Sequence, residues 1–465
     1  MITRSLTVKG LAAALVLAIS LALRCYALSR SSYWNDEMLS LSYARSPEWG
    51  SVLWDNSPPV YHSLLKLWVS LFGITEIATR GLSVIFSVGA TAVVMKAGHE
   101  LRGPRGMLCA GALHALACLS INYAQETRMY ALYEFCTAVN LLYFMRLYLD
   151  CGNRSAKLYA ASVALVASTN YLAVVPLFSE KLLFLGRYLL RPKKAPKTLI
   201  AHLALAGGLA GIGASCLWWI KWDALGWQKA KFAIEASSRY PVVLVGKLFG
   251  FSWIFAIAFT CIVIASEFTA KGRRERLTLA AMVLLPMAMM TAASFVFQRG
   301  MLLERYLINV VPPFALWASV ALLDSAWGTK FKWSAAVVLF AAALAALPKA
   351  YVPYKEDWRE AAEIVHRNPG LVLTMSKPAL RAPYFEHYGI QLEQWDPRDE
   401  DSEELLRREV LSLGRVWIVD SQTNAKLFPT IRQWVTDLGF RESSFSVETG
   451  NYSSLKLMLI EDPSP

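Results

Sequence analysis

The stretch Leu11-Ala-Ala-Ala-Leu-Val-Leu-Ala-Ile-Ser-Leu-Ala-Leu23, followed shortly by Tyr33-Trp-Asn-Asp-Glu-Met38, decides the class of this chain. The apolar segment 7–28 has the ~20 residues needed to cross a bilayer core. Two carboxylates, Asp36 and Glu37, follow it at the depth of a membrane surface. Acids there lose solvation and need a partner or a purpose.

Working outward, similar apolar segments recur near 75–97, 107–121, 129–149, 158–176, 177–190, 198–220, 246–268, 277–297, 305–325 and 334–350. With 55% hydrophobic residues in 465, the chain is too apolar for a soluble globule. The expected architecture is a multispanning α-helical membrane protein of about eleven transmembrane helices, occupying residues 1–350. No small-residue cleavage site follows the first segment, so it reads as retained.

Charge sets the expected orientation. Basic clusters lie at Arg4 and Lys9, at Lys96, Arg102 and Arg105, at Arg154 and Lys157, and from Arg187 to Lys197. Further clusters lie at Lys271-Gly-Arg-Arg-Glu-Arg276 and at Lys330-Phe-Lys332. These fall on alternate connections, and so on the cytoplasmic side, if 58–73 is a non-spanning helix. The N-terminus is then inside, and residues 351–465 form an extracytoplasmic domain. The net charge of +12 splits into +18 before residue 350 and −6 from there on. The basic excess therefore belongs with membrane lipids and argues against nucleic acid. All seven cysteines precede residue 262, match no metal spacing, and read as small apolar packing residues.

Three regions stand out on the presumed outer face. The first loop, 29–74, ends in Ser57-Pro-Pro-Val-Tyr-His62, where two prolines suit a helix start. The following Leu64-Leu-Lys-Leu-Trp-Val-Ser-Leu71 suits an interfacial helix. A loop at 223–240 is either a lid or a solvated connection. The tail changes to strand-like runs at 371–374, 415–420 and 455–460, with helix-like stretches at 357–367, 400–413 and 423–438, which predicts a small α/β domain. Its opening residues Lys355, Asp357 and Arg359 suit a helix cap and a local ion pair. His99, His114 and His202 fall on inner loops or in spans, where they read as incidental.

Two other polar stretches accompany the acidic pair. Asn122-Tyr-Ala-Gln-Glu-Thr-Arg-Met-Tyr130 places Gln125, Glu126 and Arg128 between two spans. Arg299-Gly-Met-Leu-Leu-Glu-Arg-Tyr306 adds Arg299, Arg305 and Tyr306, ahead of Pro312 and Pro313. Singly, each reads as an interfacial cap or a snorkelling side chain. Together, carboxylates and outer-face arginines suit a reaction with a phosphate leaving group and a hydroxyl nucleophile. Tyr33, Ser57, His62, Gln125, Glu126 and Arg299 are the candidates for lining the substrate cavity. Because Asp36 and Glu37 are adjacent and not spaced as a chelating Asp-x-Asp, no metal is expected from them.

In order along the chain, Trp34-Asn-Asp-Glu37, Pro58-Pro59, Tyr123-Ala-Gln-Glu-Thr-Arg-Met-Tyr130, Arg305-Tyr306 with Pro312, and Lys355-Glu-Asp-Trp-Arg359 resemble the bacterial GT-C membrane glycosyltransferases. Those are relatives of the protein O-mannosyltransferases and of the aminoarabinose transferases of lipid A, and the resemblance spans most of residues 1–360. It implies a sugar donor on a polyprenyl phosphate such as undecaprenyl phosphate, transfer with inversion on the extracytoplasmic face, and an acceptor hydroxyl on a lipid, glycan or protein. It puts Asp36 at the catalytic base, with Glu37 the neighbouring acid of the motif. Arg128 and Arg305, with Tyr306 beside them, would hold the donor phosphate. Metal use varies among such enzymes, so the resemblance leaves a divalent ion open. The chain departs from the pattern at Ser57, where relatives often carry His or Lys before the prolines, and at Asn170-Tyr171, where they often carry His-Tyr. A transporter or lipid flippase with a charged central cavity, and a non-catalytic assembly subunit, are the alternatives left open.

Overall fold

The computed structural model describes residues 2–53, 55, 57–150, 153–190, 253–269, 271–297, 304–352, 356–375, 382–421, 427–449 and 453–463. The expected span 198–220, the loop 223–240, Arg299 and Lys355 lie outside the described residues. The chain forms two units. A helical unit comprises residues 1–26, 48–73 and 78–351, and an α/β unit comprises 27–47, 74–77 and 352–465.

In chain order the helices up to residue 346 are α1 (Ile2–Cys25), α2 (Asn35–Arg45), α3 (Val60–Phe72), α4 (Glu76–Ala115), α5 (Cys118–Ala124), α6 (Tyr130–Asp150), α7 (Asn153–Ala167), α8 (Val174–Leu190), α9 (Trp253–Glu267), α10 (Arg273–Phe297), α11 (Val311–Asp324) and α12 (Thr329–Ala346). Among the described residues, four helical runs are long and apolar enough to cross a membrane: 76–115, 273–296, 304–324 and 329–351. Helices here are apolar on both faces. On α9, Phe255, Phe259 and Ile262 are buried, while Ile254, Ile257 and Ile264 are exposed. Water would penalise that outer face, whereas lipid does not.

Local sequence explains how the apolar segments are broken. Residues 75–97 and 107–121 fall largely within one helical run, α4, interrupted at Arg102 and Gly103, the latter at φ +61°. The two arms fold back on each other because glycines permit it. A Cβ on Gly98 would sit 2.5 Å from the Gly106 carbonyl oxygen, and one on Gly111 would strike Met95. Between α7 and α8 the helix stops, and Asn170 Oδ1 accepts from Leu172 N (2.9 Å) at the head of a 3-10 turn, Tyr171–Ala173. Ahead of α11 lies a second 3-10 stretch, Glu304–Val310, and Pro312-Pro313 occupies the first turn of α11. The interfacial segment forms α3, which buries Tyr61, His62 and Leu65 and exposes Leu67, Leu71 and Phe72.

Inside the helical unit, polar side chains satisfy backbone that the breaks leave open. Arg24 is fully buried, and its guanidinium donates to the carbonyls of His114 (3.4 Å) and Ala115 (3.2 Å), at the negative end of α4, and to Ser87 Oγ (2.7 Å). His114 is part of the packing and not incidental. Its Nδ1 lies 3.0 Å from Thr91 Oγ1 and its Nε2 3.3 Å from Glu134 Oε1, all three residues being buried.

Two basic loops meet around one carboxylate. Arg102 Nε and Nη2 grip Asp324 at 2.8 and 2.5 Å, and Arg276 Nη1 lies 3.6 Å from the same group. Gly272, at φ +68°, runs against this cluster, and a Cβ there would fall on Arg102 Nη2 and Asp324 Oδ2. Gly272→Ala is therefore expected to destabilise the protein by about 1–3 kcal/mol. Gly103→Ala, also at positive φ but with nothing near its Cβ, is the comparison: unfolding in detergent should be the earlier for Gly272→Ala.

The α/β unit adds α13 (Trp358–Arg367), α14 (Ala382–Glu386), α15 (Ser402–Leu413) and α16 (Phe428–Asp437), with strands β1 (Leu371–Thr374), β2 (Leu392–Gln394), β3 (Arg415–Ser421), β4 (Arg441–Thr449) and β5 (Ser453–Glu461). The sheet order is β2-β1-β3-β5-β4, with β1 parallel to β2 and β3, and β5 antiparallel to β3 and β4. Alternation sends Val416 and Ile418 into a core with Leu373, Leu406, Val410, Ile431, Val435, Met458 and Ile460. Trp417 takes the other face, its Nε1 donating to the Asn368 carbonyl at 2.7 Å.

Candidate functional site

The acidic pair sits at the start of α2, in the α/β unit. Glu37 is fully buried, and its Oε2 accepts from the Trp34 backbone N–H (3.4 Å), which makes it part of the cap of its own helix. Asp36 is half-buried in the first turn, where the helix dipole favours a carboxylate. The segment before α2 is tied down by residues more than 320 positions later. Ser32 Oγ donates to the Glu356 carbonyl (3.1 Å) and accepts from Trp358 N (3.0 Å). Asn35 Nδ2 and Trp358 Nε1 each donate to the Glu356 carboxylate at 3.0 Å. Glu356 was not singled out from the sequence, although it lies within the motif that carried the resemblance.

The same motif supplies Asp357, which caps α13 by accepting from Arg359 N and Glu360 N, and Arg359. The pairing of Arg359 is not local: its Nη2 donates to Glu76 Oε1 at 2.6 Å. Tyr384 OH donates to the same oxygen (2.9 Å) and accepts from Tyr33 N (2.6 Å). Burial, followed by the Glu76 charge, pushes the Tyr384 phenol far above its ordinary value, so it stays a donor. Tyr33 is buried and its hydroxyl donates to the Ile74 carbonyl at 2.7 Å. Tyr33 thus positions the loop.

The helical unit holds the cationic residues. Arg128 Nη1 donates to Asp55 Oδ2 at 2.9 Å, and His62 Nε2 lies 3.3 Å from the same oxygen. Asp55, His62 and Arg128 are 2%, 0% and 7% exposed. Burial alone would raise the Asp55 carboxyl, but the His62 hydrogen bond and the Arg128 charge more than reverse this and hold it well below the usual carboxylate range. Asp55 was missed in the sequence because single acids in an acid-rich loop look solvated. Its place two residues before Ser57-Pro-Pro was the available signal.

Arg128 is presented by a buried, irregular segment between α5 and α6. Non-helical backbone inside a helical bundle has to be satisfied locally. Ser83 Oγ donates to the Glu126 carbonyl (2.6 Å), and Thr127 Oγ1 meets Thr79 Oγ1 at 3.0 Å. Gln125 Nε2 donates to the carbonyls of Arg24 (3.2 Å) and Tyr26 (2.7 Å), closing the end of α1. Glu126 is 1% exposed. Arg305 and Tyr306 lie on the 3-10 stretch 304–310, which packs against α5 and α6, the helices flanking Arg128. The Arg305 guanidinium lies 5.4 Å from the Tyr306 ring centroid. Ser57 Oγ, Tyr171 OH and Asn309 Nδ2 are buried and have no hydrogen-bond partner among the described residues.

The helical unit therefore contains Asp55, Ser57, His62, Gln125, Glu126, Arg128, Arg305 and Tyr306, of which Asp55 meets His62 and Arg128 directly, while Tyr33, Asp36 and Glu37 belong to the α/β unit. Among the described residues no group of three or more His, Cys, Asp or Glu is placed to hold a metal ion. A guanidinium fixed by a buried carboxylate suits an anion with several oxygens, and a half-buried carboxylate at a helix N-terminus suits proton abstraction.

No protein-family model matches the chain, and no curated protein matches it significantly. Solved structures do. ArnT from Cupriavidus metallidurans in the apo state is 13% identical, with a TM-score of 0.59 over 96% of this chain and 97% of that one. ArnT from the same organism bound to undecaprenyl phosphate is 14% identical, with a TM-score of 0.55 over the same shares. The Archaeoglobus fulgidus oligosaccharyltransferase, tethered to an acceptor peptide containing the NVT sequon, is 11% identical, with a TM-score of 0.51 over 96% of this chain and 73% of that one. The chain shares the fold of these enzymes, as the resemblance to GT-C glycosyltransferases implies.

Proposed function

We propose that this GT-C-fold protein is an inverting glycosyltransferase that moves a sugar from a polyprenyl-phosphate donor to an acceptor hydroxyl on the extracytoplasmic face. The observation that carries the reading is Arg128, buried and paired with Asp55, whose carboxylate His62 also meets, within a fold shared with an ArnT bound to undecaprenyl phosphate. In this reading Asp36 takes the acceptor proton as the acceptor oxygen attacks the anomeric carbon. The bond from that carbon to the phosphate oxygen breaks, and its electron pair leaves with polyprenyl phosphate. Arg128 and Arg305 stabilise the charge that develops there, with Tyr306 beside them. Asp55 orients Arg128, and Glu37 fixes the turn that presents Asp36. The N-terminus lies in the cytoplasm of a bacterium-like cell and the α/β domain outside.

The test uses purified full-length protein in detergent with undecaprenyl-phosphate-linked mannose, glucose or arabinose and a cell-envelope extract as acceptor source. Free undecaprenyl phosphate is read by mass spectrometry. Its enzyme-dependent release from at least one donor is expected. If every donor stays intact, including in liposomes where it moves between leaflets, the protein is a lipid transporter and the reading fails.

A further inference from the structure

Glu134 stands in the second turn of α6, fully buried, and takes no part in the transfer step itself. An ionisable side chain at membrane depth is costly, and apolar residues of similar volume would hold the helices at least as well. Its contacts therefore bear on geometry more than on stability.

Those contacts close a hairpin. Ser120 of α5 donates to Glu134 Oε1 across 14 positions of the chain, and His114 Nε2 lies 3.3 Å from the same oxygen. His114 Nδ1 meets Thr91 Oγ1 at 3.0 Å, and Thr91 Oγ1 meets Ser20 Oγ at 2.9 Å. From the other side Arg24 Nε donates to Ser87 Oγ (2.7 Å), which donates in turn to the Ser120 carbonyl (3.5 Å). All of these side chains are fully buried, and they come from α1, both arms of α4, α5 and α6.

Between Ser120 and Glu134 runs the segment that presents Arg128, and it is stiff at both ends. Gln125 N donates to the Asn122 carbonyl at 3.1 Å as α5 ends, and Tyr133 N donates to the Met129 carbonyl at 2.9 Å as α6 begins. A shift of α6 against α5 is therefore carried into Arg128. The Asp55 bond, at 2.9 Å, fixes the tip of the Arg128 side chain, whereas the bond from Ser120 to Glu134 fixes the backbone from which it springs.

We propose that Glu134 is a positioning residue for Arg128: through Ser120 it locks α5 onto α6 and so sets where the guanidinium stands for the lipid phosphate. It touches neither donor nor acceptor, and its role in transfer rests on the reading of Arg128 as a phosphate ligand.

Phenylglyoxal modification of the full-length protein in detergent, read peptide by peptide by mass spectrometry, reports the hold on Arg128 with no substrate present. Glu134→Leu and Ser120→Ala are each expected to speed modification of Arg128 about tenfold, since small displacements of a positioned group have large consequences. Arg276, buried elsewhere in the helical unit beside Asp324, should keep its wild-type rate. Glu134→Gln, whose amide oxygen still accepts from Ser120, should return Arg128 close to the wild-type rate. In turnover, Glu134→Leu and Ser120→Ala should raise the donor KM with kcat held. Where Glu134→Leu does not fold, Ser120→Ala decides. An unchanged Arg128 rate in the variants that fold, or an equal rise at Arg276, overturns the inference. Faster modification of Arg128 with an unchanged donor KM would support its positioning by Glu134 while removing Arg128 from the donor phosphate, so the two readings fail separately.

Discussion

Asp36→Asn is expected to lower release of polyprenyl phosphate about 10²–10⁴-fold, the usual worth of a positioned general base. The substitution keeps the shape of the side chain at a half-buried position in the first turn of α2, so the unfolding midpoint should hardly move. Donor affinity should also hold, because the lost interaction belongs to the transition state, and the deficit appears in kcat. Glu37 should behave oppositely. It is buried and caps its own helix, so Glu37→Ala should cost stability of roughly 0.5–2 kcal/mol. Transfer by Asp36→Asn at near the wild-type rate would remove Asp36 from the chemistry.

The second large effect is expected at Asp55. Asp55→Ala leaves Arg128 and His62 buried without their shared carboxylate, and breaking such a pair from one side costs about 3–5 kcal/mol. Asp55→Asn should lose less, since it still accepts a hydrogen bond, but should raise the donor KM through a loosened Arg128. Acid separates the two variants from wild type in a defined direction. The Asp55 carboxyl is held below its unfolded value of about 3.9, so its contribution is complete above that pH and is lost as the pH falls through the lower folded-state value. The stability gap between wild type and Asp55→Asn should therefore be widest near pH 7 and shrink below about pH 4. A gap independent of pH would show that Asp55 carries no such charge.

Most of the helical architecture was legible because membrane-spanning helices are apolar on all sides and long, and no tertiary detail is needed to see that. The interruptions were harder. The reversal at Arg102–Gly103 rests on Gly98, Gly106 and Gly111 meeting across two arms, which a hydropathy profile does not register. In the α/β unit, β1, β3 and β5 were visible as short apolar runs, whereas β2 and β4 were not. Leu392–Gln394 is three half-exposed or exposed residues at one sheet edge, and Arg441–Thr449 is a polar strand at the other. Edge strands avoid the apolar pattern that identifies a strand, since an apolar edge would aggregate.

The polar residues divide along a similar line. Asp36, Arg128 and Arg305 could be named from the chain alone, because charge beside apolar sequence is conspicuous and costly. Their surroundings could not. Asp55 looks like any loop acid until the fold buries it against Arg128 and His62. Glu356 looks like a tail residue until it receives Asn35 and Trp358. Arg359 reads as half of a local pair until Glu76, 283 positions away, takes it. By itself, then, the sequence determined a helical membrane protein with acidic and basic residues at its loop ends. Only the tertiary structure decided which carboxylate meets which cation, because those pairings are set by desolvation and by contacts between residues distant in the chain, and neither leaves a local pattern.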